Sequence, residues 1–145
     1  MNLSPHFTLA ELTASDTAVR LGIDNTPSPE VLANLTRVAA MLERVRELVG
    51  SPIRVSSGYR SPALNRAVGG AKDSAHMLGL AADITVPVMS PKALALLIRE
   101  SGLICDQLIY EGQWVHLGLS LGAPRQQVLT AKFTAGRASY TEGIA

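Results

Sequence analysis

Apolar residues recur at steps of three and four between Val31 and Val49: Val31, Leu32, Leu35, Val38, Ala39, Leu42, Val45 and Leu48-Val49. Arg37, Glu43, Arg44 and Glu47 fall mostly on the other side, which predicts one long amphipathic helix. Ser28-Pro29 supplies an N-cap followed by proline at the first helical position, and Gly50 supplies the stop. The same Ser-Pro punctuation returns twice. Ser61-Pro62 opens a short helix that stops at Gly69-Gly70, and Ser90-Pro91 opens one running through Leu94, Leu97 and Ile98 to Gly102. Near the start, Thr8-Leu9-Ala10-Glu11 has the form of a capping box, and Asp24-Asn25-Thr26-Pro27 reads as a turn.

Between these helices the period changes to two. Pro52 to Ser56 alternates and is β-branched, Ala81 to Val86 is a strand that stops at Pro87, and Asp106–Glu111 with Trp114–Leu119 form a hairpin around Gly112-Gln113. Val128 to Phe133 adds an edge strand, while the small, polar stretch from Thr134 to Ala145 predicts a poorly ordered tail. The expected fold class is α+β: a small, mainly antiparallel sheet with helices packed on it. With 145 residues it forms one domain, its core spanning about residues 28–120.

Composition narrows the function classes. An apolar share of 47% and a charged share of 17% are ordinary for a soluble globular chain, and at this length no metal is needed merely to fold. Formal net charge is +1, so nothing in the total draws the chain to nucleic acid or to an acidic membrane. Cys105 is the only cysteine, which excludes an internal disulfide and a thiolate zinc cluster; its apolar neighbours Leu103-Ile104 mark it as a small buried hydrophobe. The first six residues, with neither a basic nor an apolar leader segment, predict synthesis in the cytoplasm without an export signal. No apolar run reaches the roughly 20 residues of a membrane span.

Three residues carry ligand chemistry. His76 ends a polar loop, Asp83 follows seven positions later inside a strand with Gly79 supplying the bend, and His116 lies in the second arm of the hairpin. Asp83 sits among Ala81, Ala82 and Ile84, where an unpaired carboxylate is costly and a cation would satisfy it. Two imidazoles and a carboxylate suit one zinc ion and leave its fourth position open, the mark of a catalytic site. Spacing alone also fits a loop histidine, a hydrogen-bonded sheet histidine and an Asp83 paired with Arg54 or Arg60. His6 reads as a surface residue.

The wider pattern adds to this. Ser57-Gly58-Tyr59-Arg60-Ser61-Pro62 with Asn65, then Ser74-Ala75-His76-Met77-Leu78-Gly79-Leu80-Ala81-Ala82-Asp83, resembles the zinc D-Ala-D-Ala carboxypeptidase family, which shares its fold with the hedgehog signalling domain. Ser74, His76, Gly79, Ala81 and Asp83 fill the five fixed positions of its S-x-H-x-x-G-x-A-x-D hallmark, and Trp114-Val115-His116 resembles its W-x-H segment. The likeness runs from about Ser51 to Leu119, and the N-terminal helices resemble those of short phage and prophage members.

That resemblance implies His76, Asp83 and His116 as zinc ligands, Arg60 as a contact to the substrate near the scissile bond, and Ser74 as a second substrate contact. For Arg60 a structural salt bridge is the competing role, and for Ser74 it is loop capping. Many relatives place an acid three residues before the last histidine; here that position is Gln113, which cannot move protons. Glu111 is therefore the expected general base, with Asp106 the second choice. The expected activity is hydrolysis of a peptide bond in peptidoglycan, either D-Ala-D-Ala carboxypeptidase or endolysin-type endopeptidase, by a monomer reaching the wall after holin-type release. Gln113 keeps a second reading open: a non-catalytic zinc-binding wall or phage-particle protein of the same fold.

Overall fold

The structure, a computed structural model, describes residues 1–145. A two-strand hairpin, β1 (Asn2–Ser4) and β2 (Phe7–Thr8), leads into α1 (Leu9–Thr13) and α2 (Asp16–Leu21). Then come α3 (Pro29–Val49), β3 (Arg54–Ser57), α4 (Pro62–Ala67), a 3₁₀ turn (Ala75–Leu78), β4 (Ala81–Thr85) and α5 (Pro91–Ser101). The chain closes with β5 (Gln107–Tyr110), β6 (Val115–Gly118), β7 (Gln127–Thr134) and β8 (Arg137–Glu142). Strands β3 to β8 form one sheet in the order β3-β4-β6-β5-β7-β8, antiparallel except where β7 runs beside β5. The α+β expectation holds, and the sheet does not close on itself.

The helices begin where their caps say they should. Thr8 and Glu11 form the reciprocal capping box, and Ser28, Ser61 and Ser90 each accept a backbone N–H at the start of a helix whose first residue is proline. Gly50 and Gly102 end α3 and α5 in the left-handed region that glycine adopts without a Cβ clash. The apolar stripe of α3 (Leu35, Val38, Ala39, Leu42, Val45) and that of α5 (Leu94, Ala95, Ile98) pack on one face of the sheet. That face presents Ile84, Ala82, Val115, Leu117 and Leu108, all buried in the same core. No helix is long and apolar enough to cross a membrane.

Two expectations about the C-terminal part need correction. Val128–Phe133 is not at the edge: β7 lies between β5 and β8. The segment from Thr134 onward is not a poorly ordered tail, because Arg137–Glu142 forms the edge strand β8, joined to β7 through six paired positions. Its composition hid the strand, since every residue of β8 is exposed and none carries the apolar alternation that marks a half-buried strand. The turn does the work instead. Ala135 and Gly136 both have positive φ (52° and 77°), the backbone of a two-residue hairpin turn whose twist matches the strands. Helix α2 and the β1–β2 hairpin are further elements that the apolar periodicity does not announce, each being too short to show a period.

A candidate metal centre on the open face of the sheet

The sheet's second face is open, and register decides what it carries. Asp83 pairs with His116, His116 with Ile109, Ile109 with Leu129 and Leu129 with Glu142, so these five side chains form one lateral row on that face. A neighbouring row holds Trp114, Glu111, Ala131 and Tyr140: the Glu111 N–H donates to the Trp114 carbonyl at 3.0 Å, and Ala131 pairs with Tyr140. Cross-strand pairing thus turns a carboxylate and an imidazole 33 positions apart into neighbours.

His76 comes from outside the sheet, and three backbone contacts hold its turn. Its Nδ1–H donates to the Gly58 carbonyl at 2.7 Å, its own carbonyl accepts from the Arg60 N–H at 3.0 Å, and its N–H donates to Ser74 Oγ at 3.2 Å. Gly58 must be glycine, because a Cβ there would stand 2.2 Å from the Leu12 carbonyl oxygen. Gly79, which ends the turn at φ +71°, is pressed against α3, where a Cβ would meet Val31 Cγ1 at 2.8 Å. The long helix therefore braces the ligand loop as well as the core.

Asn25 is a contributor that the sequence showed only as part of a turn. Its Nδ2 donates to the carbonyls of Thr13 and Tyr59, and its Oδ1 accepts from the Ser61 N–H at 2.8 Å. One amide side chain so ties the N-terminal helices to the Ser57–Ser61 turn. Only its position at a turn, where asparagine favours side-chain to backbone bonds, could have flagged it.

His76, Asp83 and His116 converge, and all three are buried. Asp83 Oδ1 lies 3.3 Å from His76 Nε2 and 3.0 Å from His116 Nδ1, and the three donor atoms lie within 4.8 Å of one another. Tetrahedral zinc with bonds of about 2.0–2.1 Å separates its ligand atoms by about 3.3 Å, so the spacing suits that ion. The tautomer suits it too. With Nδ1–H donating to Gly58, a neutral His76 turns the lone pair of Nε2 toward the carboxylate oxygen, an acceptor facing an acceptor unless a cation lies between them. Burial pushes the Asp83 carboxyl up, but where an imidazole N–H of His116 or His76 faces it, that bond and its charge outweigh burial and hold the group below the usual carboxylate range. Neither Arg54 nor Arg60 forms an ion pair with Asp83. The donor set fits zinc.

The chain matches the family model of peptidase M15 over residues 5–118. It belongs to the peptidase M15 family. M15 peptidases are zinc-dependent, in accord with the buried His-Asp-His group. No curated protein matches the chain by sequence. The match to peptidase M15 stops at residue 118, so β7 and β8 lie beyond it.

Around this M15 centre, Glu111 Oε2 stands 4.0 Å from His116 Nδ1 and accepts the Trp114 indole N–H at 3.0 Å. Burial, then the charge of Asp83, pushes the Glu111 carboxyl above its ordinary range, against the opposite pull of His116, Trp114 and His76. Gln113 is exposed in the hairpin turn. Asp106 lies elsewhere, gripped by Arg125 through Nη2 at 2.7 Å and Nε at 3.1 Å, and its carboxyl is held low by those bonds. Arg60 donates from Nη2 to Ser74 Oγ at 3.3 Å, while its buried Nε has no partner in the protein. Burial lowers the Arg60 guanidinium, against the charges of Asp83 and Glu111. Ser74 both caps the 3₁₀ turn and touches Arg60. His6 lies far from all of this in the sequence and bonds Glu43 at 2.7 Å, so it is a surface residue with a partner.

Proposed function

We propose that this M15 peptidase hydrolyses a peptide bond in the stem peptides or cross-links of peptidoglycan, with Glu111 as general base. The observation that carries the reading is the half-buried Glu111 carboxylate, 4.0 Å from a donor atom of the three-residue cluster on the open face of the sheet. The S-x-H-x-x-G-x-A-x-D and W-x-H segments support the substrate class by resemblance to D-Ala-D-Ala carboxypeptidases. The short phage and prophage members whose N-terminal helices this chain's resemble support an endolysin-type role, with the wall as the place of action.

His76, Asp83 and His116 would hold the zinc ion, which when bound supplies Lewis acidity to activate water and polarise a carbonyl. Glu111 takes the proton from the attacking water and returns it to the leaving amine. Its raised pKa brings its basicity closer to neutral, where both transfers are feasible. The Trp114 N–H fixes one carboxylate oxygen and leaves the other free to receive the proton. Arg60, bonded by its side chain to Ser74 alone, has further guanidinium N–H groups and binds the carboxylate or carbonyl oxygen of the substrate. Ser74 holds the guanidinium in place. The experiment is direct: zinc-loaded protein incubated with purified sacculi releases peptides detectable by mass spectrometry. A folded, zinc-loaded sample that releases none would remove the enzymatic reading.

A further inference from the structure

The open face of the sheet does not end at Glu111. Beyond it lie β7 and β8, both outside the region matched to the family. Their residues on this face are Leu129, Ala131 and Phe133 on β7, with Ala138, Tyr140 and Glu142 opposite on β8. Ile109, Leu129 and Ala131 form a small buried cluster that fixes the hairpin to β5 independently of the main core. Phe133 and Tyr140 remain 55% and 52% exposed, two aromatic rings standing on the same face as the metal-ligating row. Rings of that size left half in water on a face shared with a reactive centre are the usual material of a binding wall.

Two contacts tie this wall to the chemistry. Phe133 packs on Trp114 with ring centroids 6.4 Å apart, and Trp114 is the residue whose N–H holds Glu111. Tyr140 falls in the Glu111 row, and burial and the charges of Glu111 and Asp73 push its phenol up. Strand β8 stands three strand spacings, about 14 Å, from β6, the strand that carries His116. An extended peptide covers that distance in about four residues. A ligand of two residues at the metal falls short of Tyr140, and one of four or five reaches it.

We propose that the β7–β8 hairpin is the far wall of the substrate groove, with Tyr140 contacting the part of a stem peptide about four residues from the scissile bond. This rests on the peptidoglycan reading above and assigns it a length preference: stem peptides of four or five residues bind better than dipeptides, and the difference belongs to β8. Tyr140 lies on an exposed edge strand, so its replacement leaves the core and the zinc ligands untouched.

The test compares wild type and Tyr140→Ala, both zinc-loaded, on a synthetic five-residue stem peptide and on a blocked D-Ala-D-Ala dipeptide. Affinity is read from the fluorescence of Trp114, the only tryptophan, in a Glu111→Gln background that cannot turn the ligand over. Tyr140→Ala should weaken pentapeptide binding about tenfold or more and dipeptide binding less than twofold, with KM rather than kcat carrying the change in the active enzyme. Equal effects on the two peptides, or an unchanged pentapeptide affinity, would overturn the proposal. Because binding is measured without turnover, the wall can fail while sacculi are still cleaved, and sacculi can resist cleavage while the wall still binds peptide.

Discussion

The two ends of the open face are built to different standards. At the metal end, β4 and β6 are buried almost throughout, with Asp83 and His116 keeping only 7% and 8% of their surface exposed. A one-residue slip there would carry Asp83 or His116 into the core and bring Ala82 or Leu117 out, so the packing against α3 and α5 locks the ligand register. At the other end, β8 is exposed along its whole length and keeps its register through backbone pairing, a two-residue turn and the small Ile109-Leu129-Ala131 cluster. Ligand geometry sits where displacement costs most. The surface that would choose among peptides sits where substitutions cost least, and it lies beyond the part of the chain that the family pattern covers.

The sharpest way to break this comparison is at the metal end. His116→Ala should take zinc from one ion per chain to nearly none by elemental analysis, and cut activity by ~1000-fold or more, since the ion is worth several kcal/mol of barrier. Full zinc occupancy in that variant would show that the buried row is not the ligand set. Glu111→Gln should reduce turnover by about 10²–10⁴-fold while zinc content stays at wild type. Activity that survived would move the base to another residue.

A step outward, Gly58→Ala should weaken zinc binding by about 10–100-fold, because the displaced turn no longer aligns the carbonyl that orients His76. Zinc competition with a chelator measures this, and an unchanged affinity would mean the turn is free to shift.

The pH profile offers a subtler check. Glu111 must be ionised to accept a proton, so kcat/KM falls as pH drops through its pKa. Burial and Asp83 raise that pKa, placing the acid limb above the roughly 4.3 of an ordinary glutamate. An acid limb at the ordinary value would show that the base is a solvated carboxylate. The smallest effect belongs to the exposed end. Ala135→Gly relieves a left-handed alanine in the hairpin turn and should stabilise the protein by about 0.5–1 kcal/mol, seen as a modest rise in Tm with zinc content unchanged.

Much of this molecule was legible before any coordinates. Helix α3 announces itself through nineteen residues of apolar spacing between a Ser-Pro cap and Gly50, because a helix against a core must repeat its apolar face every three to four positions. His76 and Asp83 are legible as a pair because a short loop, Gly79 and an apolar strand leave a carboxylate in need of a partner. The Ser57–Arg60 turn and Trp114-Val115-His116 add to them by resemblance.

What the chain could not state was who faces whom across the sheet. Strand pairing joins residues with no fixed separation in sequence, so which of Glu111 and Asp106 lies near the His-Asp-His cluster had to wait for register: one ends beside His116, the other in the grip of Arg125. Strand β8 escaped notice because backbone bonds and a turn hold it, and neither leaves an apolar pattern. The apolar pattern determined the helices and the buried strands, since burial must be written into the side chains. Tertiary pairing alone decided the open face, where an aromatic hairpin 24 residues beyond His116, counted to Tyr140, comes to stand across from Glu111.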